Sequence, residues 1–312
     1  MTQQMSNWDE AQIPSQAGKI AIITGASGGL GLETAQALTR KGATVIIAVR
    51  SADKGNKAKA AIRSSQPDAD VHVMPLDLAD LDSVRAFAES FASSYTSLDL
   101  LINNAGVMIP PYSQTKQGFE LQMGTNHFGH YALTARLFTH LKGTPGSRIV
   151  NVSSSAHRMG NLNLNDLDWQ ERKYKPWQAY GDSKLANLYF TLELDRRIKE
   201  AGLDVVTTAA HPGLARTELD RTSGGVKLFF RLFGQDAVMG ALPTLRAAVD
   251  PQLQGGEYIG PGGRMKMKGY PVLEAPVPLA FDEKIAHQLW RISEERTGVT
   301  FDFSPLPAHI LH

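Results

Sequence analysis

Six apolar runs rich in β-branched residues recur along the chain at helix-sized intervals: Lys19–Ile23, Thr44–Val49, Val71–Met74, Leu98–Ile102, Arg148–Val152 and Asp204–Thr208. Their apolarity is continuous and not alternating, which predicts strands covered on both faces, and hence a parallel sheet. The intervening segments have helical length and periodicity, over Leu30–Lys41, Asp53–Ser64, Asp80–Ser93, Glu120–Leu141, Trp177–Glu200 and Asp236–Val249. Gly42 just past the first of them is a helix stop signal. Strand and helix in alternation predict a doubly wound α/β domain, with a parallel sheet of about seven strands and helices on both of its faces. No repeat or linker divides the pattern, so residues 18–312 read as one domain and residues 1–17 as a mobile N-terminal tail.

Composition narrows the partners. Hydrophobic residues make up 42% and charged residues 20% of 312, and the formal net charge is +1. That balance allows a sizeable core and gives no global attraction to nucleic acid or anionic lipid. The chain has no cysteine, which excludes disulfides, thiolate catalysis and cysteine-ligated zinc. The first seventeen residues lack a basic and an apolar signal region, and no stretch approaches the ~18–20 apolar residues that span a bilayer. A cytoplasmic enzyme with a small-molecule partner is the expectation. Three segments fall outside the alternation, at 156–175, 217–234 and 254–269. They follow strands or lead off the sheet's carboxyl edge, where such folds bind ligands, and the first two are expected to be substrate loops.

Directly after the first strand comes Thr24-Gly25-Ala26-Ser27-Gly28-Gly29-Leu30-Gly31, running straight into a helix. Glycines remove the Cβ atoms that would block a pyrophosphate, and the helix N-terminus offers unpaired N–H groups and positive potential. The second strand ends in Val49-Arg50 and carries no acid for a ribose 2′-hydroxyl. A guanidinium there suits a 2′-phosphate, which points to NADP(H) over NAD(H), with Ser51 and Lys54 as helpers. The next strand ends carry Asp77-Leu78 and Asn103-Asn104-Ala105-Gly106, the latter a tight turn on its own chemistry.

Ser154 closes the fifth apolar run, and Tyr180-Gly-Asp-Ser-Lys184 opens a helical stretch that puts a phenol and an ammonium on one face. A phenol with a pKa near ~10 is a reluctant acid–base at neutrality, and a cation beside it favours phenolate. The same spacing in Tyr112-Ser-Gln-Thr-Lys116 lies behind Pro110-Pro111, in a loop with no serine-bearing strand before it. His127 and His130 are three apart on a predicted helix, but no carboxylate or thiol cluster accompanies them, and no metal is expected.

The motif T-G-x-x-x-G-x-G, the Asn-Asn-Ala-Gly turn, Ser154, Tyr180 with Lys184, and Pro212-Gly213 after the sixth strand together resemble the short-chain dehydrogenase/reductase family, a Rossmann-fold group. Arg148-Ile-Val-Asn-Val-Ser-Ser154, Ser183-Lys-Leu-Ala-Asn187 and the closing Trp290-Arg-Ile-Ser-Glu-Glu295 point to its retinol dehydrogenase-like and protochlorophyllide reductase-like branch. The resemblance implies roles. Tyr180 is the proton donor, Ser154 holds the substrate oxygen, and Lys184 binds the nicotinamide ribose. Asn126 bends its helix and holds a water in the proton relay. Asp77 bonds the adenine amine, Leu78 adjoins it in the cofactor site, and Asn104, Ala105 and Gly106 line the cofactor groove. Pro212 and Gly213 turn beneath the nicotinamide, and Thr217 contacts its carboxamide.

The 26 positions from Ser154 to Tyr180 are about twice the family's usual interval and resemble this branch's long loop. Met108, Ile109, Met159, Trp177, Leu219, Phe229, Phe230 and Phe233 would form an apolar lining suited to a lipophilic aldehyde, ketone or alcohol, with core packing the alternative for each. Val226–Phe233 reads as an amphipathic lid, or else as a helix in weak contact with a membrane surface. Oligomeric state is open. The other readings are a sugar-nucleotide epimerase, whose glycine spacing differs, a light-dependent double-bond reductase, which needs a cysteine, and a non-catalytic NADP(H)-binding sensor or scaffold, which typically lacks Ser, Tyr or Lys.

Overall fold

The computed structural model describes residues 7–214 and 235–305. All six expected runs form strands of one sheet, the first five being β1 (Ile20–Thr24), β2 (Thr44–Val49), β3 (Val71–Pro75), β4 (Leu100–Asn103) and β5 (Ser147–Val152). With β6 (Val205–Ala210), β7 (Tyr258–Pro261) and β8 (Pro271–Glu274) the order is β3-β2-β1-β4-β5-β6-β7-β8. The sheet therefore has eight strands where the apolar pattern gives about seven. The first seven are parallel, and β8 runs antiparallel to β7. The two last strands come from and beyond the Gly-rich 254–269 segment, too short and too poor in β-branched residues to stand out.

Alternate strand residues feed two cores. Ile22, Ile46 and Leu101 join Phe87, Phe91 and Phe138 on one face, while Ile23, Ile47 and Ile102 join Leu38, Leu242 and Leu245 on the other. The helices that cover these faces are α1 (Gly29–Arg40), α2 (Ala52–Ser65), α3 (Leu81–Ser94), the single turn α4 (Leu121–Met123), α5 (Gly129–Lys142), α6 (Pro176–Glu200), α7 (Ala237–Val249) and α8 (Glu283–Thr297). The sequence pattern over Glu120–Leu141 predicts one helix, but a turn of π-helix at Gly124–Phe128 separates α4 from α5.

The segment expected to be a mobile tail is anchored from Trp8 onward. Trp8 and Ile13 are buried in the α1 face of the core, Gln16 is fully buried, and its N–H donates to the Lys41 carbonyl at 2.8 Å. Two apolar residues in a short polar stretch suffice to fasten it, because each removes its surface from water. Among the described residues no helix is long and apolar enough to cross a membrane.

Candidate active site

The carboxyl ends of the strands open into one cleft of about 980 Å³. Gly25, Ser27, Gly28, Gly29, Leu30 and Gly31 line one end, with Arg50, Asp77 and Leu78 beside them. Asn104, Ala105 and Gly106 form the middle, and Ser154, Tyr180, Lys184, Pro212 and Gly213 the other end. Asn126 lies behind this wall, fully buried. Thr217, the 217–234 loop and the lining candidates Leu219, Phe229, Phe230 and Phe233 fall outside the described residues.

The glycine end is built by sterics. Gly25 has φ +70°, and a Cβ there would meet the Cα of Ala105 at 3.0 Å. At Gly31 a Cβ would stand 2.7 Å from the Asn104 amide and 2.8 Å from the Gly25 carbonyl. Gly28, just before α1, offers no side chain to cap it, so the first N–H groups of the helix have no side-chain partner, and Gly28 to Gly31 line the cleft. Arg50 is exposed at the end of β2, and Ser51 caps α2 by accepting from the Lys54 N–H at 3.4 Å. These residues fit a dinucleotide: open amides and small residues for the pyrophosphate at one end, titratable groups at the other.

Thr24 stitches two turns together, a role the motif reading misses. Its hydroxyl oxygen accepts the N–H groups of Asn104 and Ala105, both at 2.9 Å, and the Asn104 side chain donates to the Thr24 carbonyl at 2.8 Å. With both acceptor positions filled, the hydroxyl proton goes to Nε2 of His130, 2.9 Å away. Nδ1 of His130 is then protonated and donates to the Asn126 carbonyl at 3.0 Å. Burial, with the charge of Lys184 nearby, holds His130 down to about 4, so the ring is neutral. His127 is equally buried and engages Ser293 Oγ at 2.8 Å, so the two histidines serve separate partners. The signal for His130 was present in the sequence: a polar ring on the buried face of an otherwise apolar helix needs a partner.

Asn126 occupies the π-turn. Its Oδ1 accepts the Val107 N–H at 2.8 Å, while Nδ2 donates to the Val107 carbonyl at 3.0 Å and to Ser183 Oγ at 2.9 Å. The wide turn thus locks the peptide that follows Gly106, where a Cβ would come within 3.1 Å of Asn126 Oδ1 and 3.4 Å of Lys184 Nζ.

On α6, Tyr180 and Lys184 share a face and both are buried. Lys184 Nζ donates to the Val152 carbonyl at 3.0 Å, and burial brings its pKa down to about 8. Burial pushes the Tyr180 phenol up to about 12, with the Ser154 hydroxyl pulling in the opposite direction. This corrects the expectation that the lysine keeps the phenol low. Desolvation of a phenolate outweighs an ammonium that is bonded to a strand-end carbonyl. Ser154 caps a short 3₁₀ turn at Ser155–Met159, its Oγ accepting from the Ala156 N–H at 3.2 Å. Ser153 is buried at the edge of the cleft and donates to the Lys184 carbonyl at 2.8 Å, fixing α6 against β5.

The second Tyr-x-x-x-Lys is outside the cleft. Lys116 is held by Asp80 and Asp82, each at 3.0 Å, and Tyr112 stands edge-on to Tyr174. At the Tyr180 end Met108, Met159 and Trp177 line the cleft, and Met159 and Trp177 are nearly half exposed. Ile109 does not line it. In the 156–175 insertion Trp169 is buried under the guanidinium of Arg172, 3.7 Å from its ring centre, while Leu162 and Leu164 pack against the core.

The sequence profile of the short chain dehydrogenases matches residues 19–225. Retinol dehydrogenase 12 of Mus musculus is 42% identical over 296 residues, covering 93% of this chain and 89% of that protein. Retinol dehydrogenase 13 of Homo sapiens is 40% identical over 300 residues, covering 92% and 87%. The crystal structure of an uncharacterised protein from Mycobacterium paratuberculosis superposes with a TM-score of 0.81 at 42% identity, covering 95% of this chain and all of that one.

Proposed function

Because the chain belongs to the short-chain dehydrogenase family, on its retinol dehydrogenase-like branch, and is a nicotinamide-dependent oxidoreductase, we propose that it interconverts a lipophilic aldehyde or ketone with its alcohol, with NADP(H) as cofactor and Tyr180 as acid–base. One observation carries this reading: Ser154, Tyr180 and Lys184 meet at one end of a single cleft whose other end is the glycine turn.

The bound cofactor supplies or takes the hydride. The protein's own part is to orient the carbonyl and deliver a proton. A phenol raised to about 12 is fully protonated at neutral pH and is ready to donate as the carbonyl oxygen gains charge. The Ser154 oxygen accepts from the Ala156 N–H, and its hydroxyl, which also acts on the Tyr180 phenol, can turn its proton to the same substrate oxygen. Lys184, with a pKa of about 8, is mostly an ammonium at pH 7, and favours the phenolate that proton donation creates. Arg50, in place of an acid at the end of β2, supports the preference for a 2′-phosphate. Met108, Met159 and Trp177 support an apolar substrate. Oxidation of NADPH and of NADH, followed at their nicotinamide absorbance against a panel of aldehydes, ketones and quinones, tests the reading. Tight NADPH binding with no turnover of any member would favour a sensor instead.

A further inference from the structure

Gln122 is fully buried, and both ends of its amide are engaged by segments that flank the cleft. Its Oε1 accepts the Ile109 N–H at 2.8 Å. Its Nε2 donates to the Pro176 carbonyl at 3.0 Å and to the Tyr174 hydroxyl at 2.9 Å. Ile109 adjoins Met108, and Pro176 adjoins Trp177, so the amide is one residue removed from a cleft-lining side chain on each of two segments. Among the hydrogen bonds of the described residues, Gln122 is the only side chain that joins residues 107–109 to residues 174–176. Ile109 has φ +48°, a left-handed conformation that a β-branched residue holds only under constraint, and the bond to Gln122 supplies one.

Tyr174 completes the cross-link. While it accepts from Gln122, its hydroxyl donates to Glu120 Oε1 at 2.8 Å, so its proton and a lone pair are both engaged. Glu120 Oε2 in turn accepts the Met123 N–H at 2.7 Å, and the Glu120 N–H donates to Asp168 Oδ1 at 2.8 Å. The ring of Tyr174 stands edge-on to Tyr112 and Trp169, with centroids 5.2 Å and 5.6 Å apart. The insertion between Ser154 and Tyr180 is therefore held by its end to the turn that precedes the Asn126 bend.

We propose that Gln122 and Tyr174 form a latch that fixes the spacing between the Met108 and Trp177 segments, and that they determine how wide a carbonyl substrate the cleft accepts. This rests on the oxidoreductase reading of the cleft. A buried amide and a half-buried phenol with their partners in place hold the segments they join, and removing one partner strands the others and frees those segments. Neither residue is hydrogen-bonded to Ser154, Tyr180 or Lys184, so the latch acts on which substrates fit and leaves the proton transfer alone.

The test compares wild type with Tyr174→Phe, which keeps the ring, and Gln122→Met, which keeps the length. Each is assayed with NADPH against a straight-chain aldehyde and a branched or ring-bearing aldehyde of equal carbon number. The expected result is kcat on the straight-chain aldehyde within about twofold of wild type, with discrimination between the two aldehydes changed by about fivefold or more through KM. NADPH binding and the melting temperature serve as controls for folding, and Tyr174→Phe carries the test if Gln122→Met does not fold. An unchanged discrimination ratio in a folded, active variant would overturn the latch alone. A wild-type protein that reduces no member of a broad carbonyl panel would overturn the oxidoreductase reading, and the substrate-width role with it.

Discussion

The ammonium of Lys184 stands 5.8 Å from the centre of the Tyr180 ring. It reaches past the phenol to the Val152 carbonyl, and both groups sit in a desolvated site that disfavours charge on each. In the proposed reaction the lysine would act on the anion that proton donation creates, since burial disfavours a standing phenolate. Ser153 and the Asn126–Ser183 contact hold α6 in register for that encounter.

A buried lysine with a folded pKa of about 8, against 10.5 ordinarily, imposes a stability penalty that is at its full size below pH 8. Between pH 8 and 10.5 the unfolded chain holds more protons than the folded one, so stability rises with pH across that window. Lys184→Met is therefore expected to be more stable than wild type at pH 7, by on the order of 2 kcal/mol after the lost Val152 bond is counted. The advantage should shrink toward pH 10.5, while turnover falls by about a hundredfold or more. Urea unfolding at pH 7 and pH 10, with parallel assays, measures both.

Acid should act in the opposite sense. Burial holds His127, His130 and His157 at about 3, 4 and 4 in the folded chain, against 6.5 ordinarily. The unfolded chain takes up their protons first as pH falls, so this contribution is complete above pH 6.5 and lost from 6.5 down to about 4 for His130 and His157 and about 3 for His127. Three such sites give a slope approaching about 4 kcal/mol per pH unit within that window. The urea midpoint followed from pH 7 to pH 5 reads the slope, and a flat midpoint would show that the rings are not held neutral.

Arg50 makes the cofactor preference testable by charge reversal. Arg50→Asp should shift the ratio of kcat/KM for NADPH over NADH by about tenfold or more toward NADH, since a carboxylate repels a 2′-phosphate and accepts from a 2′-hydroxyl. Initial rates with the two coenzymes at fixed aldehyde give the ratio. An unchanged value would place the phosphate contact elsewhere, with Lys54 the next candidate.

The central strands and the glycine turn were legible because burial on both faces leaves a continuous apolar run, and a pyrophosphate turn needs small residues just there. Strands β7 and β8 were not legible, since Tyr258–Pro261 and Pro271–Glu274 are four residues each and begin or end in Gly or Pro context. The anchored N-terminal segment was hidden because Trp8 and Ile13 show no period. The π-turn at Asn126 was suggested only by resemblance, because one extra residue in a turn does not disturb an apolar pattern over Glu120–Leu141. The direction of the Tyr180 shift could not be read either, for it depends on how completely the phenol is removed from water. Thr24 and His130 became a connected pair only once the fold brought positions 106 residues apart within 2.9 Å.

The role of Tyr180 is tested most directly by Tyr180→Phe, assayed for NADPH-driven aldehyde reduction alongside direct NADPH binding. A proton donor at this position requires kcat to fall by about a hundredfold or more, with NADPH affinity within about threefold of wild type. Turnover retained at near wild-type kcat would contradict it, and would place the proton donor on another group in the cleft.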